Sequence, residues 1–486
     1  MLIWSLFGIR GFIMIEATIE NIISREYLEK IIDAWSRKGA EYVECRAEVR
    51  KSLRIEIRDH EIKRFDSSFS SGVAVRVVID GKLHFFSISA GELPHANIVE
   101  EKVFSQRDWL WSVKLKERES FKDKVIVEEK RPLIDVGIEE KLKFVKNSHE
   151  RAFKDIVKTV STTYNEEIVE KLILTSEGTD ILLRIPYVII RHEITAEVDG
   201  KINAARGIWG GIGGFEVMNE EDISKMTNET SKSACDGARA RRCPSGKFRV
   251  VLDGDLNHLL AHEALGHAAE ADSLRVGSIL KGKLGKKIAS PLINIVDDGR
   301  FELNGVKGFG WIPYDDEGTP TERTLIIERG VLKSFMTDRI TAEEYGLRLT
   351  GNARAQDWTL PSVVRMRNTF IEPSSPDIGY KNEELLQELR DGLLLKTGRG
   401  GQVDPTRGVF TFGVQEAFLV KNGEIVERLS STSISGNILV VLKNVEAVGR
   451  EFDPPQKSAG FCGKVGLVPV GVTGPWLLIK NLIVGG

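Results

Sequence analysis

Apolar residues recur at three- and four-residue spacing over residues 19–38, and this period predicts an amphipathic helix. Two runs of alternating apolar and polar residues follow, YVECRAEVRKSLRIEIRD and GVAVRVVIDGKLHFFSIS, and a period of two predicts β-strands. Asp80-Gly81 interrupts the second run, and Asp199-Gly200 interrupts a later strand-rich segment. Both dipeptides favour two-residue hairpin turns, so the pattern predicts an antiparallel sheet.

Helical periodicity returns in two polar segments. The first is EEKLKFVKNSHERAFKDIVKTV, within the charge-rich residues 108–158, and the second covers residues 219–241. The second segment ends before Cys243-Pro244, where we place a domain boundary. The strand FRVVLDG follows, then a helix, and then a strand-rich remainder with one further helix around residues 383–394.

We therefore expect an α+β protein. Residues 14–242 would form an N-terminal α/β domain with an antiparallel sheet and flanking helices. Residues 243–486 would form a β-rich C-terminal domain that carries the helix after FRVVLDG. A chain of 486 residues is long enough for two domains with separate cores.

The charge of the chain is nearly balanced, with 68 basic and 71 acidic residues and a formal net charge of −3. This balance gives no electrostatic reason to expect nucleic acid or a membrane as a partner. Four cysteines in 486 residues do not form a disulfide framework, so we expect a reducing, cytoplasmic environment. The first fifteen residues are apolar but too few to span a bilayer, and we favour Met14 over Met1 as the start.

The helix after FRVVLDG carries the candidate chemistry. It contains His262-Glu263-Ala264-Leu265-Gly266-His267, which is one residue longer than the zinc-protease motif HExxH. In a regular α-helix, residues five apart differ in direction by about 140°, too far to hold one ion. A π-bulge would bring both histidines to one face, and such bulges favour functional sites. Gly266 precedes the second histidine, where a distorted turn meets little steric resistance.

The residues alone leave the ligands of this candidate metal site open. His258 and His262 are four positions apart and could bind a metal on an undistorted helix. The three histidines could also be ordinary polar residues of a helix face. A catalytic zinc needs a third protein ligand, and the candidates are Glu270, Asp272 and Cys462.

Two other motifs are interpreted as structural. GIWGGIGGF is rich in glycine, but it follows a predicted hairpin instead of opening a βαβ unit, so a dinucleotide site is not expected. His192-Glu193 has no second histidine after it and falls in a predicted strand.

The chain resembles the TldD/PmbA family of metalloproteases, and in particular its TldD branch. HEALGHAAEAD is similar to the HExxxH signature of the family, and further blocks follow in the same order: DDEGTPTERTLIIERGVLKSFMTDR, LTGNARAQ, RMRNTFIEP, GGQVDPTRGVFTFGVQEAFLVKNGEI, FCGKVGLVPVGV and NLIVGG. The resemblance implies that His262, His267 and Cys462 ligate Zn²⁺, and that Glu270 has a supporting position.

The same resemblance implies a zinc-dependent peptidase that hydrolyses short or unfolded peptides with Glu263 as the general base. It further implies a homodimer, or a heterodimer with a PmbA-like paralog that lacks the motif. Two alternatives stay open: a non-catalytic assembly subunit with a structural zinc site, and a hydrolase of non-peptide amides. No residue is assigned to stabilise the oxyanion.

Overall fold

The computed structural model describes residues 18–93, 112–377, 379–471 and 473–485. The two candidate starts, Met1 and Met14, lie outside the described residues. Within the described ranges, no helix is both long enough and apolar enough to cross a membrane.

The first part of the chain forms one large sheet with helices packed against it. The helices are α1 (Ile19–Ile22), α2 (Arg25–Arg37), α3 (Ile138–Arg151) and α4 (Glu220–Arg239), with 3₁₀ turns at Leu133–Asp135 and Phe215–Val217. The strands are β1 (Tyr42–Arg58), β2 (Glu61–Ile79), β3 (Lys82–Ser89), β4 (Lys122–Ile126), β5 (Val157–Thr175), β6 (Asp180–Val198) and β7 (Lys201–Ile212). The spatial order is β3-β2-β1-β5-β6, and β6 then pairs with parallel β4 and with antiparallel β7.

Both predicted hairpin turns of this sheet are confirmed. Asp80 and Gly81 join β2 to β3 with φ of 50° and 68°, and Asp199 and Gly200 join β6 to β7 with φ of 49° and 74°. Two successive residues with positive φ are typical of the type I′ turn, whose twist matches that of the flanking strands.

The second part of the chain is rich in short strands. Its helices are α5 (Gly254–Leu259), α6 (His267–Ala269), α7 (Arg339–Glu344), α8 (Glu384–Leu389) and α9 (Ile438–Lys443), with a π-helix at Leu260–Gly266 and 3₁₀ turns at Ala271–Leu274 and Pro455–Ser458. Its strands are β8 (Gly246–Leu252), β9 (Ile295–Asp298), β10 (Glu302–Leu303), β11 (Val306–Lys307), β12 (Arg323–Glu328), β13 (Val331–Leu332), β14 (Ala353–Arg354), β15 (Val363–Val364), β16 (Thr369–Ile371), β17 (Gly392–Asp404), β18 (Val409–Lys421), β19 (Glu424–Leu429), β20 (Thr432–Asn437), β21 (Val445–Val448), β22 (Ala459–Gly463), β23 (Leu467–Gly471) and β24 (Leu477–Val484).

The main sheet of this second part closes on itself around the motif helix. Its order is β17-β8-β24-β20-β18, and β18 pairs back with β17. Leu260, Ala264 and Leu265 of the helix are buried in one core with Leu395 and Phe412 of the sheet. A helix that is apolar on nearly all sides is a buried helix, which explains its run of Leu and Ala. The α+β expectation, with the motif helix in a β-rich second part, is confirmed, and the boundary at residues 242 and 243 stays a prediction.

Two predicted helices are shorter than expected. The segment within residues 108–158 is helical only to Arg151, because Val157 already begins β5 and pairs with Ala196 of β6. The helix expected around residues 383–394 ends at Leu389, where Arg390 takes a φ of 57°. In both cases, pairing with a distant strand overrides the local helical period.

Buried ion pairs join the second part of the chain to the first sheet. Asp316 lies 2.5 Å from Nζ of Lys171 and 3.2 Å from the guanidinium of Arg46. Glu317 accepts from Arg76 at 2.7 Å. These carboxylates belong to the block DDEG, and each is paired, as a buried charge requires. The ion pairs of this block therefore hold the second part of the chain against the first sheet.

Candidate metal centre

The helix that carries the motif widens in its middle. Its α-helical start is capped by Asp253, whose side chain accepts from the N–H of Leu256 at 3.0 Å. The π-helix follows, and the N–H of His267 donates to the carbonyl of His262, five residues earlier. The predicted distortion is confirmed, and it brings the two imidazole rings to a centroid distance of 5.4 Å.

Gly266 is explained by a close neighbour and not by an unusual backbone angle. Its φ of −57° and ψ of −50° are ordinary helical values that any residue adopts. A Cβ at this position would overlap the sulfur of the buried Met366 and would lie 3.2 Å from the carbonyl oxygen of Ala261. The glycine therefore leaves room for Met366 against the widened turn.

A hairpin from the end of the chain brings Cys462 to this face of the helix. Cys462 lies on β22, opposite Val468 of β23, and its side chain is buried. Its Sγ is 3.6 Å from Nε2 of His267. The buried Arg365 holds the hairpin in place, because its guanidinium donates to the carbonyl oxygens of Cys462 and Lys464.

A carboxylate orients the second histidine of the motif. Nδ1 of His267 lies 3.2 Å from Oε2 of Glu270, and Nζ of Lys464 donates to the same oxygen at 2.9 Å. Burial raises the pKa of Glu270, but the charges of His267 and Lys464 outweigh this and hold the pKa at about 2. The ionised carboxylate favours a proton on Nδ1 of His267, which leaves Nε2 free to bind a metal. Asp272 contacts Lys464 at 2.8 Å and not the histidines.

Family models match three successive parts of the chain. Residues 43–100 match domain 1 of the PmbA/TldA metallopeptidases, residues 131–241 match the central domain, and residues 245–486 match the C-terminal domain. A relative named metalloprotease, from Methanothermobacter thermautotrophicus, is 36% identical over 468 residues, which are 96% of this chain and 99% of the relative. The chain belongs to the PmbA/TldD family of metallopeptidases.

Other members of the PmbA/TldD family extend the comparison. A zinc metalloprotease TldD homolog from Saccharolobus solfataricus is 32% identical over 68% of this chain and 72% of its own length. The solved structure of TldE from Thermococcus kodakarensis superposes with a TM-score of 0.71 at 18% identity, covering 95% of this chain and all of that chain. A proposed modulator of DNA gyrase from Thermotoga maritima gives a TM-score of 0.77 at 23% identity, covering 95% of this chain and 99% of that chain. At such identities these structures show the fold alone.

In this PmbA/TldD member, His262, His267 and Cys462 have one ligand atom each within 4.8 Å of the others. Tetrahedral zinc with Zn–N of about 2.05 Å and Zn–S of about 2.3 Å separates its nitrogen and sulfur ligands by about 3.6 Å. The observed distance from Sγ of Cys462 to Nε2 of His267 is 3.6 Å. Both ring nitrogens of His262 are buried without a hydrogen-bond partner among the described residues. A metal ion would satisfy one of them, so the donor set fits zinc.

The glutamate of the motif lies beside this group. The side chain of Glu263 is 35% exposed, and its Oε2 is 3.5 Å from Nε2 of His267. Burial raises the pKa of Glu263, but the hydrogen bond from His267 and the charges of the histidines bring it down to about 2. The carboxylate is therefore ionised at neutral pH and next to the point where the ligand atoms meet.

The other histidines are placed differently. The ring of His258 lies 5.1 Å from that of His262 at an interplanar angle of 54°, but His258 is not part of the group of mutually close ligand atoms. His60, His149 and Glu150 form a second such group. There, however, Nδ1 of His149 bonds Thr162 at 2.9 Å and Nε2 accepts the N–H of His60 at 3.4 Å, so its nitrogens have partners, unlike those of His262.

His192 is buried in β6 and hydrogen-bonds Ser148, Thr162 and Thr227. The structural interpretation of His192-Glu193 is confirmed for the histidine.

The sequence and the family resemblance pointed to His262, Glu263, His267 and Cys462, but not to the residues that hold them in place. Lys464 holds Glu270, Arg365 holds the strand of Cys462, and Met366 packs against Gly266. None of the three belongs to a recognisable motif. The signal available was their position in the chain: Lys464 follows Cys462 by two residues, and Arg365 and Met366 open the block RMRNTFIEP.

Proposed function

We propose that this chain is a zinc-dependent peptidase of the TldD type that hydrolyses short or unfolded peptides. His262, His267 and Cys462 are the zinc ligands, and Glu263 is the general base. One observation carries the proposal. The buried imidazole of His262, the imidazole of His267 that Glu270 orients, and the thiol of Cys462 converge beside the ionised Glu263. Zinc bound there would supply a Lewis acid and would lower the pKa of a water molecule.

The remaining chemistry falls to the side chains. Oε2 of Glu263 accepts the proton of the attacking water and later returns it to the nitrogen of the leaving amine. Glu270 keeps the proton of His267 on Nδ1. Burial raises the pKa of Cys462, but the charges of His262 and His267 and the hydrogen bond with His267 outweigh this and hold it at about 5, so the sulfur is available as a thiolate.

The hairpin offers a way to hold an extended peptide. Among the described residues, β22 pairs with no strand other than β23, although the carbonyl oxygen of Cys462 already accepts from Arg365. Strand addition at such an edge provides sequence-independent main-chain hydrogen bonds. This geometry supports unfolded peptides as substrates.

The motif and the cysteines also bear on the type of subunit and its location. The intact His262-Glu263 pair supports the TldD type over the PmbA type, and we propose a homodimer or a heterodimer with a PmbA-like paralog. All four cysteines are unpaired, which supports a cytoplasmic location. Nucleic acid is not an expected partner.

The test compares the zinc-loaded chain with its Glu263→Gln variant on a mixture of casein peptides, alone and with a co-purified PmbA-like partner. We expect kcat/KM to fall by about 10²–10⁴-fold in the variant while its zinc content stays the same. Glu29→Gln, at an exposed position of α2, is the control for the substitution itself.

Equal activity of the Glu263→Gln variant and the wild-type chain would contradict the role of the base. Zinc binding without cleavage of any peptide would instead favour a structural zinc in an assembly subunit. Cleavage confined to non-peptide amides would favour an amide hydrolase.

A further inference from the structure

Three arginines lie on the face of the first sheet that turns toward the hairpin of Cys462. They are Arg54 on β1, Arg191 on β6 and Arg206 on β7. Ile189 and Ile208, which share this face, pack in one core with Phe309 and Ala459 of the second part of the chain. The arginines therefore lie between the two parts.

Phe461, the residue before Cys462, lies between the arginines and the candidate metal centre in the sense that it contacts Arg191 and adjoins a candidate ligand. The guanidinium carbon of Arg191 lies 5.4 Å from the centre of the Phe461 ring, and this ring is 39% exposed. Arg206 is the diagonal neighbour of Arg191 across the β6–β7 pair, because Arg191 is opposite Ile208 and Arg206 is opposite Glu193. Burial raises the pKa of Asp255, at the start of the motif helix, and the positive charge of Arg206 opposes this shift. Both arginines therefore lie on the face of the sheet that carries the hairpin of Cys462.

The two guanidinium groups have no direct ionic partner within the described residues. Neither Arg191 nor Arg206 has an ion pair or a side-chain hydrogen bond there, and Nε of Arg191 is buried without an acceptor. Glu56 is already bonded to Arg54 at 3.1 Å. Glu193 is opposite Arg206 in the β6–β7 register, but its exposed side chain makes no ion pair with either arginine.

The three arginines also repel one another. Burial lowers the pKa of Arg191, and the charges of Arg206 and Arg54 lower it further, against a smaller opposing effect of Glu193. A like-charge cluster with unused donors costs free energy unless an anion joins it. A carboxylate is the anion that a peptide brings, and the planar guanidinium fork matches it.

We propose that Arg191 and Arg206 bind a carboxylate of the peptide substrate next to the candidate metal centre. This inference rests on the proposed peptidase function and narrows its substrate class. The carboxylate is either the C-terminal group of the peptide or an Asp or Glu side chain near the scissile bond. The partly exposed ring of Phe461 would give the bound peptide an apolar neighbour.

The test uses one peptide sequence in three matched forms: with a free C-terminal acid, with a C-terminal amide, and with a central Glu replaced by Gln. The zinc-loaded full chain is compared with Arg191→Gln, Arg206→Gln and Arg191→Lys. Arg58→Gln, an exposed arginine at the far end of β1, is the control. Zinc content and circular dichroism confirm that each variant is folded and loaded.

We expect KM for the carboxylate-bearing peptide to rise by about 10–100-fold in Arg191→Gln and Arg206→Gln, with kcat nearly unchanged. With the wild-type chain, either the amide form or the Gln form of the peptide should show a similarly raised KM. The form that does so identifies the source of the carboxylate. Arg191→Lys should recover part of the effect because it keeps the charge. Equal KM for all peptides and variants would overturn the inference.

A binding measurement separates this inference from the proposed function. The Kd of a fluorescent peptide is measured on Glu263→Gln and on Glu263→Gln with Arg191→Gln, so that no cleavage is needed. A Kd weakened by about 10–100-fold in the double variant supports the carboxylate site even if the wild-type chain cleaves nothing. An unchanged Kd overturns it even if the chain is a peptidase.

Discussion

The sulfur of Cys462 lies 3.6 Å from Nε2 of His267, although 195 positions separate the two residues in the chain. The histidine is held by the buried π-helix, and the cysteine by a hairpin that Arg365 fixes through backbone carbonyls. Neither element contains the complete group, so the candidate centre depends on packing between remote parts of the fold.

The contact between Gly266 and Met366 predicts that Gly266→Ala is destabilising. The added Cβ overlaps a fully buried side chain, so we expect a loss of about 1–3 kcal/mol in the free energy of unfolding and weaker zinc binding. Urea denaturation measures the first effect. Gly91→Ala is the control, because a Cβ there meets nothing within 4 Å. If Met366→Ala does not reduce the effect of Gly266→Ala, the proposed cause is wrong.

The carboxylate behind His267 predicts the effect of Glu270→Gln. Loss of the charge removes the group that keeps the proton on Nδ1, so we expect zinc affinity to fall by about 10–100-fold. Competition with a chromophoric chelator measures this affinity. Asp272→Asn is a matched control, because Asp272 contacts Lys464 but not His267, and its effect should be smaller. Equal losses in the two variants would contradict the assigned role.

The placement of the histidines predicts which one binds the metal. His262→Ala should lose zinc, because His262 belongs to the group of convergent ligand atoms and its ring nitrogens have no other partner in the part of the chain that the structure describes. His258→Ala should retain zinc, because His258 is outside that group. Zinc per chain after dialysis is the measurement, and the reverse result would make His258 the ligand.

The part of the site encoded locally was predictable from the sequence. The five-residue separation of His262 and His267 in HEALGH requires a widened helix, and the two Asp-Gly turns require positive φ, because both features depend on neighbouring residues. The contacts of Lys464 with Glu270 and of Arg365 with the Cys462 strand join residues 97 to 194 positions apart. No periodicity encodes such pairs, and the choice of Cys462 itself rested on family resemblance.

His192 predicts a pH dependence of stability that is separate from the metal centre. Burial, and the charge of His149, lower the pKa of His192 in the folded chain to about 3. The unfolded chain, with a histidine pKa of about 6.5, takes up the proton first as pH falls. The contribution of His192 to stability is therefore complete above pH 6.5 and decreases toward pH 3.

From pH 7 to pH 5 this contribution should fall by about 2 kcal/mol. The difference in free energy of unfolding between the wild-type chain and His192→Asn, measured in urea at both pH values, should shrink by that amount. A difference that does not change with pH would show that His192 has the same pKa in the folded and unfolded chains, so that burial does not keep it neutral.

The most direct test of the central claim is zinc K-edge X-ray absorption on the purified full chain. We expect one sulfur ligand at about 2.3 Å together with nitrogen or oxygen ligands at about 2.0–2.1 Å, and loss of the sulfur signal in Cys462→Ser. A chain that binds no zinc, or a zinc shell without sulfur in the wild-type chain, would contradict the assignment of His262, His267 and Cys462.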